Sequence, residues 1–255
     1  MRVVERFWAV VLAVVAGSAL AVASDGGARA QTAWYPVEID VWTPPFNTDH
    51  RHVRRSYTPP LRAQKPWRVC AVIPHLKDDY WLAVNFGLVD EARRLGISLN
   101  VYESGGYENL AEQRAQVAGC IERRAEAIVI GAVSASGLDD LVQKAASAGI
   151  PVIDLINGMN STALAARVAA DFYDMGHATG LAVRKLQENA GRPLTVGWFP
   201  GPSGAGWVAD GDRGFRAALE GSGATILAGG FGDTGGAVQA RLVRDLLRKH
   251  PEVAV

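Results

Sequence analysis

Short apolar runs alternate with longer amphipathic stretches from residue 67 to residue 190. The runs are rich in β-branched and aromatic side chains, which is typical of strands. They occupy residues 67–73, 97–102, 127–130, 151–156 and 166–170. The stretches between them carry apolar residues at helical spacing and predict helices. These helices span residues 80–95, 109–124, 136–148 and 174–190. Such alternation indicates parallel βαβ units, so we expect an α/β fold with a doubly wound parallel sheet.

Particular side chains mark where the predicted helices begin and end. Gly96 and Gly149 each follow a helical stretch, and glycine is the commonest residue just beyond a helix. Caps at the amino ends are predicted at Asn109 with Glu112, at Ser136 with Asp139, and at Asp174.

A second, shorter set of elements follows residue 190. It comprises strands at 194–199 and 224–228 and helices ending at Leu219 and Lys249. Residues 251–255 look like the opening of a further strand. We interpret residues 67–190 as a first α/β lobe with its crossover and residues 191–255 as a partial second lobe. Because the second set is too small for an independent domain, we expect this chain to be a piece of a longer protein.

The first thirty residues predict an export signal. Arg2 and Arg6 precede the apolar run 7–16, and small residues around Ala23 and Ala30 offer two cleavage sites. A transmembrane anchor is the alternative, but the run is short for a hydrocarbon layer about 30 Å thick. We therefore interpret residues 1–30 as a signal peptide and expect a periplasmic protein that is not membrane-embedded after cleavage.

Residues 31–66 differ from the rest of the chain because they are rich in proline. Proline interrupts both helices and sheets, so we expect an extended N-terminal arm that lies on the domain or reaches a partner. His50 and His52 lie in this arm, but two histidines without neighbouring Cys or carboxylate ligands make a weak metal site. We predict no metal.

Charge and motif content exclude several classes of function. The 26 basic side chains are balanced by 26 acidic ones, so we expect no nucleic-acid partner. Ser134, Ser136 and Ser203 do not lie in G-x-S-x-G, which argues against a hydrolase. Residues 230–235 match G-x-G-x-x-G, but the supporting acidic residue expected about 20 positions later would lie at the chain end, where none can be shown. We interpret them as a flexible turn and predict no enzyme activity and no cofactor.

Cys70 and Cys120 are the only cysteines. In an oxidising compartment they could form a disulfide across a loop of about 50 residues. Two separate buried thiols are the alternative, because the sequence does not give the distance between the Cα atoms.

Aromatic residues are concentrated where the predicted strands end. In an open α/β sheet, ligands bind beyond the carboxyl ends of the strands. The aromatic residues after these strands are Tyr80, Trp81, Tyr107, Phe172 and Tyr173, with Trp207 in the second lobe. We therefore expect a pocket with aromatic walls.

The order of several motifs resembles a known family. The motifs are W-R-V-C-A-V-I-P-H-L-K-D-D-Y-W from residue 67, G-G-Y-E-N from 105, I-V-I-G-A-V from 128, V-A-A-D-F-Y-D-M-G from 168 and G-P-S-G-A-G-W from 201. Together they resemble type I periplasmic binding proteins, over residues 58–255. The resemblance implies two α/β lobes that close on a ligand, the second lobe being incomplete here.

Within that family, the chain is most similar to members of two-component signal transduction systems. The resemblance implies a protein that binds trimethylamine N-oxide and presents it to the periplasmic sensor domain of a membrane histidine kinase. It implies a cage of Tyr80, Trp81 and Tyr107 around the methyl groups, with Phe172 and Tyr173 as further wall. Such rings attract a cationic nitrogen.

The remaining implied site residues are Asp171, which would orient its neighbours or face the cation, and Trp207, which would contribute from the closing lobe. Tyr hydroxyls or an indole N–H would donate to the N-oxide oxygen. Phe172 and Asp174 stand where close relatives are expected to have tryptophan, so the preferred ligand can differ.

Two alternatives stay open. The first is a sugar- or betaine-binding periplasmic protein that feeds a transporter. Ala209 stands where a sugar binder would be expected to have Arg, which argues against sugar. The second is an interaction-only protein whose arm and first-lobe surface dock a kinase.

Overall fold

The computed structural model describes residues 35–44, 46 and 51–255. The predicted signal peptide lies outside these residues. The described residues up to Pro59 belong to one compact unit, and Pro60–Val255 forms a second.

The N-terminal unit contains a β-hairpin, so the prediction that the arm lacks sheet is wrong. Strands β1 (Val37–Trp42) and β2 (His52–Tyr57) pair antiparallel, with Val37 opposite Tyr57 and Trp42 opposite His52. The prolines of the arm lie outside both strands, so none of them removes a ladder hydrogen bond. Within β1 apolar and acidic residues alternate in sequence, a strand pattern that the proline count obscured.

A five-stranded parallel sheet forms the first lobe, as predicted. Its strands are β3 (Arg68–Ile73), β4 (Ser98–Glu103), β5 (Ala127–Ile130), β6 (Val152–Leu155) and β7 (Ala166–Val168). Their spatial order is β4-β3-β5-β6-β7, and every neighbouring pair is parallel. The carboxyl ends of all five strands therefore lie at the same edge of the sheet.

Helices α1 (Asp79–Leu95), α2 (Leu110–Glu122) and α3 (Asp139–Ser147) connect these strands. Helix α1 ends at Gly96 in the left-handed conformation, as the sequence predicts.

Asn109 occupies the cap position of α2, as predicted, but its side chain makes no cap bond. The other two cap predictions are wrong, because Leu138 rather than Ser136 occupies the cap position of α3. Helix α4 (Phe172–Ala190) begins before Asp174, and Asp171 is its cap. Cap identity depends on the backbone angles just before the helix, which residue type alone does not determine.

The first-lobe core contains the disulfide. Cys70 on β3 and Cys120 on α2 are bonded, with their Cα atoms 6.1 Å apart. Both side chains are buried among apolar residues of the sheet and of α2 and α3, including Val72, Val117 and Ile128. The bond therefore fixes helix α2 to β3, an interior strand of the sheet.

The second lobe is built from two parallel strands and three helices. Strands β8 (Thr195–Trp198) and β9 (Thr225–Ala228) pair in parallel. Helices α5 (Gly206–Leu219) and α6 (Gly236–Lys249) follow them, and the crossover helix α4 packs against α5. Two backbone hydrogen bonds join residues 254 and 255 to β8, where the sequence predicts the opening of a further strand.

Glycines bring α4 and α5 into backbone contact. A Cβ at Gly176 would lie 2.0 Å from the carbonyl oxygen of Gly211, and one at Gly214 would lie 2.0 Å from that of Tyr173. Neither position has room for a side chain. The crossover helix therefore packs closely on the second lobe.

Within the described ranges, no helix is long and apolar enough to cross a membrane.

Candidate functional site

The loops after β3, β4, β5 and β6 meet the second lobe at the carboxyl edge of the first-lobe sheet. Backbone bonds join the two lobes directly there: Ala135 N–H donates to Gly204 O at 2.9 Å, and Trp207 N–H donates to Asn157 O at 2.8 Å. The site expected from the strand-end rule therefore lies between the lobes, with side chains from both.

Trp81 is placed by the first turn of α1. Asp78 caps this helix by accepting a hydrogen bond from the Trp81 N–H at 3.0 Å. The indole is 3% exposed and packs over Gly131, where a Cβ would lie only 2.5 Å from Cη2 of the ring. Buried Gln113 holds that loop by donating to Gly131 O at 3.0 Å and accepting from Val133 N–H at 2.8 Å.

Tyr107 is the second buried aromatic residue, and its hydroxyl has a defined partner. Asn157 Nδ2 donates to the phenol oxygen at 3.1 Å and to Ala132 O at 2.8 Å. Burial raises the pKa of Tyr107 to about 12, although donor side chains around the oxygen, Asn157 first among them, act in the opposite direction. The phenol is therefore protonated at neutral pH.

The second lobe adds Trp207 at the start of α5. Its ring lies edge-on to Tyr107 with centroids 6.2 Å apart, and Phe172 is tilted against it at 5.8 Å. The indole is near enough to the Tyr107 oxygen to lower the phenol's pKa, yet its buried Nε1–H makes no hydrogen bond. Trp207 thus presents an unsatisfied donor inside an aromatic cluster.

The structure also defines contacts for the other three predicted site residues, Tyr80, Tyr173 and Asp171. Tyr80 is half exposed, and its ring lies edge-on to Trp81 at 5.8 Å. Tyr173 stacks on His177 of the same helix at 6.0 Å. Asp171 caps α4 by accepting from Asp174 N–H at 2.9 Å. Among the predicted site residues, ring contacts therefore join Trp207 to both Tyr107 and Phe172, and Trp81 to Tyr80.

His75 joins the cluster, although sequence reasoning did not select it. It is fully buried and lies edge-on to Tyr107 at 5.6 Å and to Trp81 at 6.4 Å. Burial lowers the pKa of His75 below its ordinary value, while the charge of Asp78 acts in the opposite direction. The imidazole is therefore neutral at pH 7.

Asn157, Asp233 and Thr234 are further residues that the sequence reasoning missed. Asn157 directly follows the β6 region and Thr234 follows β9, so the rule that ligands bind beyond strand ends applies to both. Their polar side chains lack the aromatic character on which the predicted pocket was based.

This arrangement is suited to binding a small ligand. In residues 35–44, 46 and 51–255, no group of three or more His, Cys, Asp or Glu side chains could hold a metal ion. The cluster offers ring faces, a protonated phenol and an unsatisfied indole N–H. Such a surface fits a small ligand that combines apolar or cationic groups with one acceptor atom.

The fold and the interlobe site define a solute-binding class. The chain belongs to the periplasmic binding proteins, because residues 69–255 match the family described as a periplasmic binding protein domain. It has the two-lobed type I fold of that family, as the sequence predicts.

Among curated proteins, the chain is similar to periplasmic protein TorT of Escherichia coli strain K12. The two are 39% identical over 207 residues, which cover 81% of this chain and 59% of that protein. The chain thus spans 59% of the length of this relative. The predicted resemblance to TorT-like binding proteins is confirmed.

Two solved structures extend the comparison. An ABC transporter solute-binding protein from Bradyrhizobium sp. BTAi1, with bound Bis-Tris, is 43% identical with a TM-score of 0.64 and covers 86% of this chain and 66% of its own. The complex of the TorS sensor domain with TorT in the absence of ligand is 31% identical with a TM-score of 0.57, covering 72% and 63% respectively. The relatives therefore include both a transporter component and a partner of a sensor domain.

Proposed function

We propose that this protein binds trimethylamine N-oxide in the cleft between its lobes and presents it to the periplasmic sensor domain of a histidine kinase. The observation that carries this proposal is the unsatisfied, buried Nε1–H of Trp207, whose ring lies against buried Tyr107 and against Phe172. An N-oxide has one strong acceptor oxygen and three methyl groups on a positive nitrogen, and the cluster complements both parts.

The ring faces complement the methylated nitrogen. Trp81, Tyr107, Phe172 and Trp207 supply four aromatic rings from both lobes. A cation over such a ring gains on the order of 0.5–2 kcal/mol per contact, and tryptophan is the best of the aromatic residues. In the part of the chain that the structure describes, the cation–π contacts of Lys and Arg fall on other rings; Arg213, for example, lies 5.3 Å from the ring centroid of Tyr173.

The N–H and O–H groups complement the oxygen. A buried donor without a partner costs about 1–3 kcal/mol, and a ligand oxygen that accepts from Trp207 would remove this cost. Tyr107 accepts from Asn157, and its own proton is retained because its pKa is raised to about 12. The phenol can therefore donate a second bond to the ligand.

Titration calorimetry tests the ligand. We expect binding of trimethylamine N-oxide and much weaker binding of glycine betaine and ribose, because a carboxylate or a ring of hydroxyls would need donors that the cluster lacks. A protein that gives no heat with the N-oxide but clear heat with betaine or ribose would overturn the proposed ligand while keeping the fold.

The partner and the compartment are proposed from the relatives and from the arm. TorT is named a periplasmic protein and is found in complex with the TorS sensor domain. We infer that this chain is exported by residues 1–30 and that its arm helps to dock the kinase. Deleting residues 34–60 should weaken binding to the sensor domain more than binding of the N-oxide; equal losses would contradict a docking role.

A second candidate is a transporter-linked binding protein. The Bradyrhizobium protein, 43% identical, is described as an ABC transporter solute-binding protein. This candidate shares the cleft but not the sensor partner. Purified sensor domain from the same organism distinguishes the two, because only the sensor function requires a stable complex with it.

A further inference from the structure

We propose that residues 229–235, between β9 and α6, are a latch that holds the second lobe closed on the first-lobe residues that position Trp81. This segment contains the G-x-G-x-x-G match. The inference rests on the proposed function only for the choice of ligand probe, since the latch itself is a contact between the lobes.

A chain of hydrogen bonds crosses the cleft at Thr234. Its Oγ1 lies 2.9 Å from Nε2 of His75 and 3.4 Å from Oδ2 of Asp78. His75 Nδ1 accepts from Lys77 N–H at 3.3 Å, so the proton of the neutral ring is on Nε2 and donates to Thr234. The Thr234 hydroxyl then donates to Asp78. Its donor and acceptor capacities are both used across the lobe boundary.

An ion pair crosses the cleft beside it. Lys77 Nζ lies 2.5 Å from Oδ2 of Asp233, whose side chain is only 13% exposed. A Cβ at Gly106 would lie 2.7 Å from the same oxygen and equally close to the Glu108 carboxylate, so the first-lobe loop approaches the latch closely. Burial acts to raise the pKa of Asp233, but hydrogen bonds with the side chains of Lys77 and Glu108 and with the backbone N–H of Thr234 hold it below its ordinary value. Asp233 is therefore ionised when the lobes are in contact.

Bonds within the second lobe fix the shape of the latch. Gly232 N–H donates to Gly201 O at 3.0 Å, and Gln239 Nε2 donates to Asp233 O at 3.1 Å. Gly230 and Gly235 have φ angles of 100° and 113°, which other residues rarely adopt. The glycines of the motif therefore shape a loop that presents Asp233 and Thr234 to the other lobe.

The first-lobe partners of the latch also hold the ligand site. Asp78 accepts from Thr234 through one oxygen and from Trp81 N–H through the other. His75 bonds Thr234 at one edge and packs against the rings of Trp81 and Tyr107. The contact of the latch with Asp78 and His75 is thereby coupled to the positions of Trp81 and Tyr107. Thr234 and Asp233 are positioning residues in this scheme.

The test measures the distance between the lobes with spin labels. Arg93→Cys on α1 and Lys249→Cys on α6 place the labels at exposed positions, and the native disulfide is kept. Without ligand, we expect one narrow distance distribution in the unaltered protein. Thr234→Val and Asp233→Asn should each broaden it and add longer distances, while Thr234→Ser, which keeps the hydroxyl, should restore it.

Matched controls remove the same groups elsewhere in the chain. Thr179→Val deletes a hydroxyl that donates to Met175 O of its own helix, and Asp210→Asn removes a pair with Arg213 that stays within α5. Neither should change the distances. Unchanged distances in Thr234→Val and Asp233→Asn, or equal changes in the controls, would overturn the latch.

Calorimetry with trimethylamine N-oxide gives a second readout. Loss of the Thr234 hydroxyl should raise the dissociation constant roughly 2- to 10-fold, the usual effect of one hydrogen bond, with recovery in Thr234→Ser. If the unaltered protein does not bind the N-oxide, the proposed function fails, and the distance distributions still decide for or against the latch.

Discussion

Asn157 donates one hydrogen bond to the Tyr107 hydroxyl and another to the Ala132 carbonyl oxygen, at 3.1 and 2.8 Å. The three residues follow β6, β4 and β5 respectively, so a single amide group links three strand ends. Its own carbonyl oxygen in the backbone accepts from Trp207 N–H of the second lobe at 2.8 Å. Asn157 is therefore a central support of the candidate site.

Replacing Tyr107 with Phe should weaken ligand binding. The substitution keeps the ring but leaves Asn157 with one acceptor fewer and removes a proposed donor to the N-oxide. One such bond is worth about 1 kcal/mol, so we expect roughly a fivefold rise in the dissociation constant, measured by calorimetry. Tyr102→Phe, on β4 outside the aromatic cluster, is the control and should bind as the unaltered protein does.

Replacing Trp207 with Phe should lower ligand affinity while changing the stability of the fold only slightly. Its Nε1–H has no partner, whereas the Nε1–H of Trp198 donates to Asp212 at 2.8 Å. We expect Trp207→Phe to lower N-oxide affinity at least fivefold with a smaller change in the urea midpoint than Trp198→Phe, which loses about 1 kcal/mol from that bond. If Trp198→Phe also abolished ligand binding, the assignment of Trp207 as the donor would be contradicted.

The raised pKa of Tyr107 predicts how stability changes in alkali. The folded value is about 12 and the unfolded value about 10, so the unfolded chain loses its proton first. This contribution to stability is fully present below about pH 10 and is lost as the pH rises to about 12; over the whole interval it amounts to about 3 kcal/mol.

Urea unfolding at pH 8 and pH 11 measures this effect. The unaltered protein should lose more stability between these pH values than Tyr107→Phe, because all other titrating groups are shared by the two proteins. Equal losses of stability in the two proteins would show that the pKa of Tyr107 is not raised in the folded protein.

Removing the disulfide should destabilise the first lobe. Cys70 and Cys120 are 50 positions apart, for which the chain-entropy relation gives about 4 kcal/mol. We expect the double variant Cys70→Ala and Cys120→Ala to lose roughly this amount in urea unfolding. Reductant should destabilise the unaltered protein but leave the double variant unchanged; the opposite result would mean that the thiols are not bonded in solution.

Sequence periodicity predicted the parallel sheet and its helices, because each strand and helix shows the local spacing of apolar residues that is typical of it. The β1–β2 hairpin was missed because the prolines outweighed the alternation in Val37–Trp42, although proline affects only the positions where it stands. The state of the cysteines stayed open because pairing depends on the distance between β3 and α2, which spacing along the chain does not contain.

The candidate site was predicted in part for a related reason. Trp81, Tyr107 and Trp207 were found because each follows a strand and is aromatic. The contact of His75 with Thr234 joins residues 159 positions apart and exists only when the two lobes meet. No local sequence pattern predicts a contact between the lobes, so the hydrogen bonds across the cleft could not be predicted from the sequence.

The glycine contact between α4 and α5 has a consequence for the two aromatic residues at their amino ends. Phe172 begins α4, and Trp207 lies in the first turn of α5. With Gly176 against Gly211 and Gly214 against Tyr173, the helices cannot slide or separate without losing backbone contact. Phe172 and Trp207 therefore move together as parts of one rigid helix pair. An alanine at Gly176 or Gly214 would push the two helices apart and so displace both aromatic rings of the ligand site.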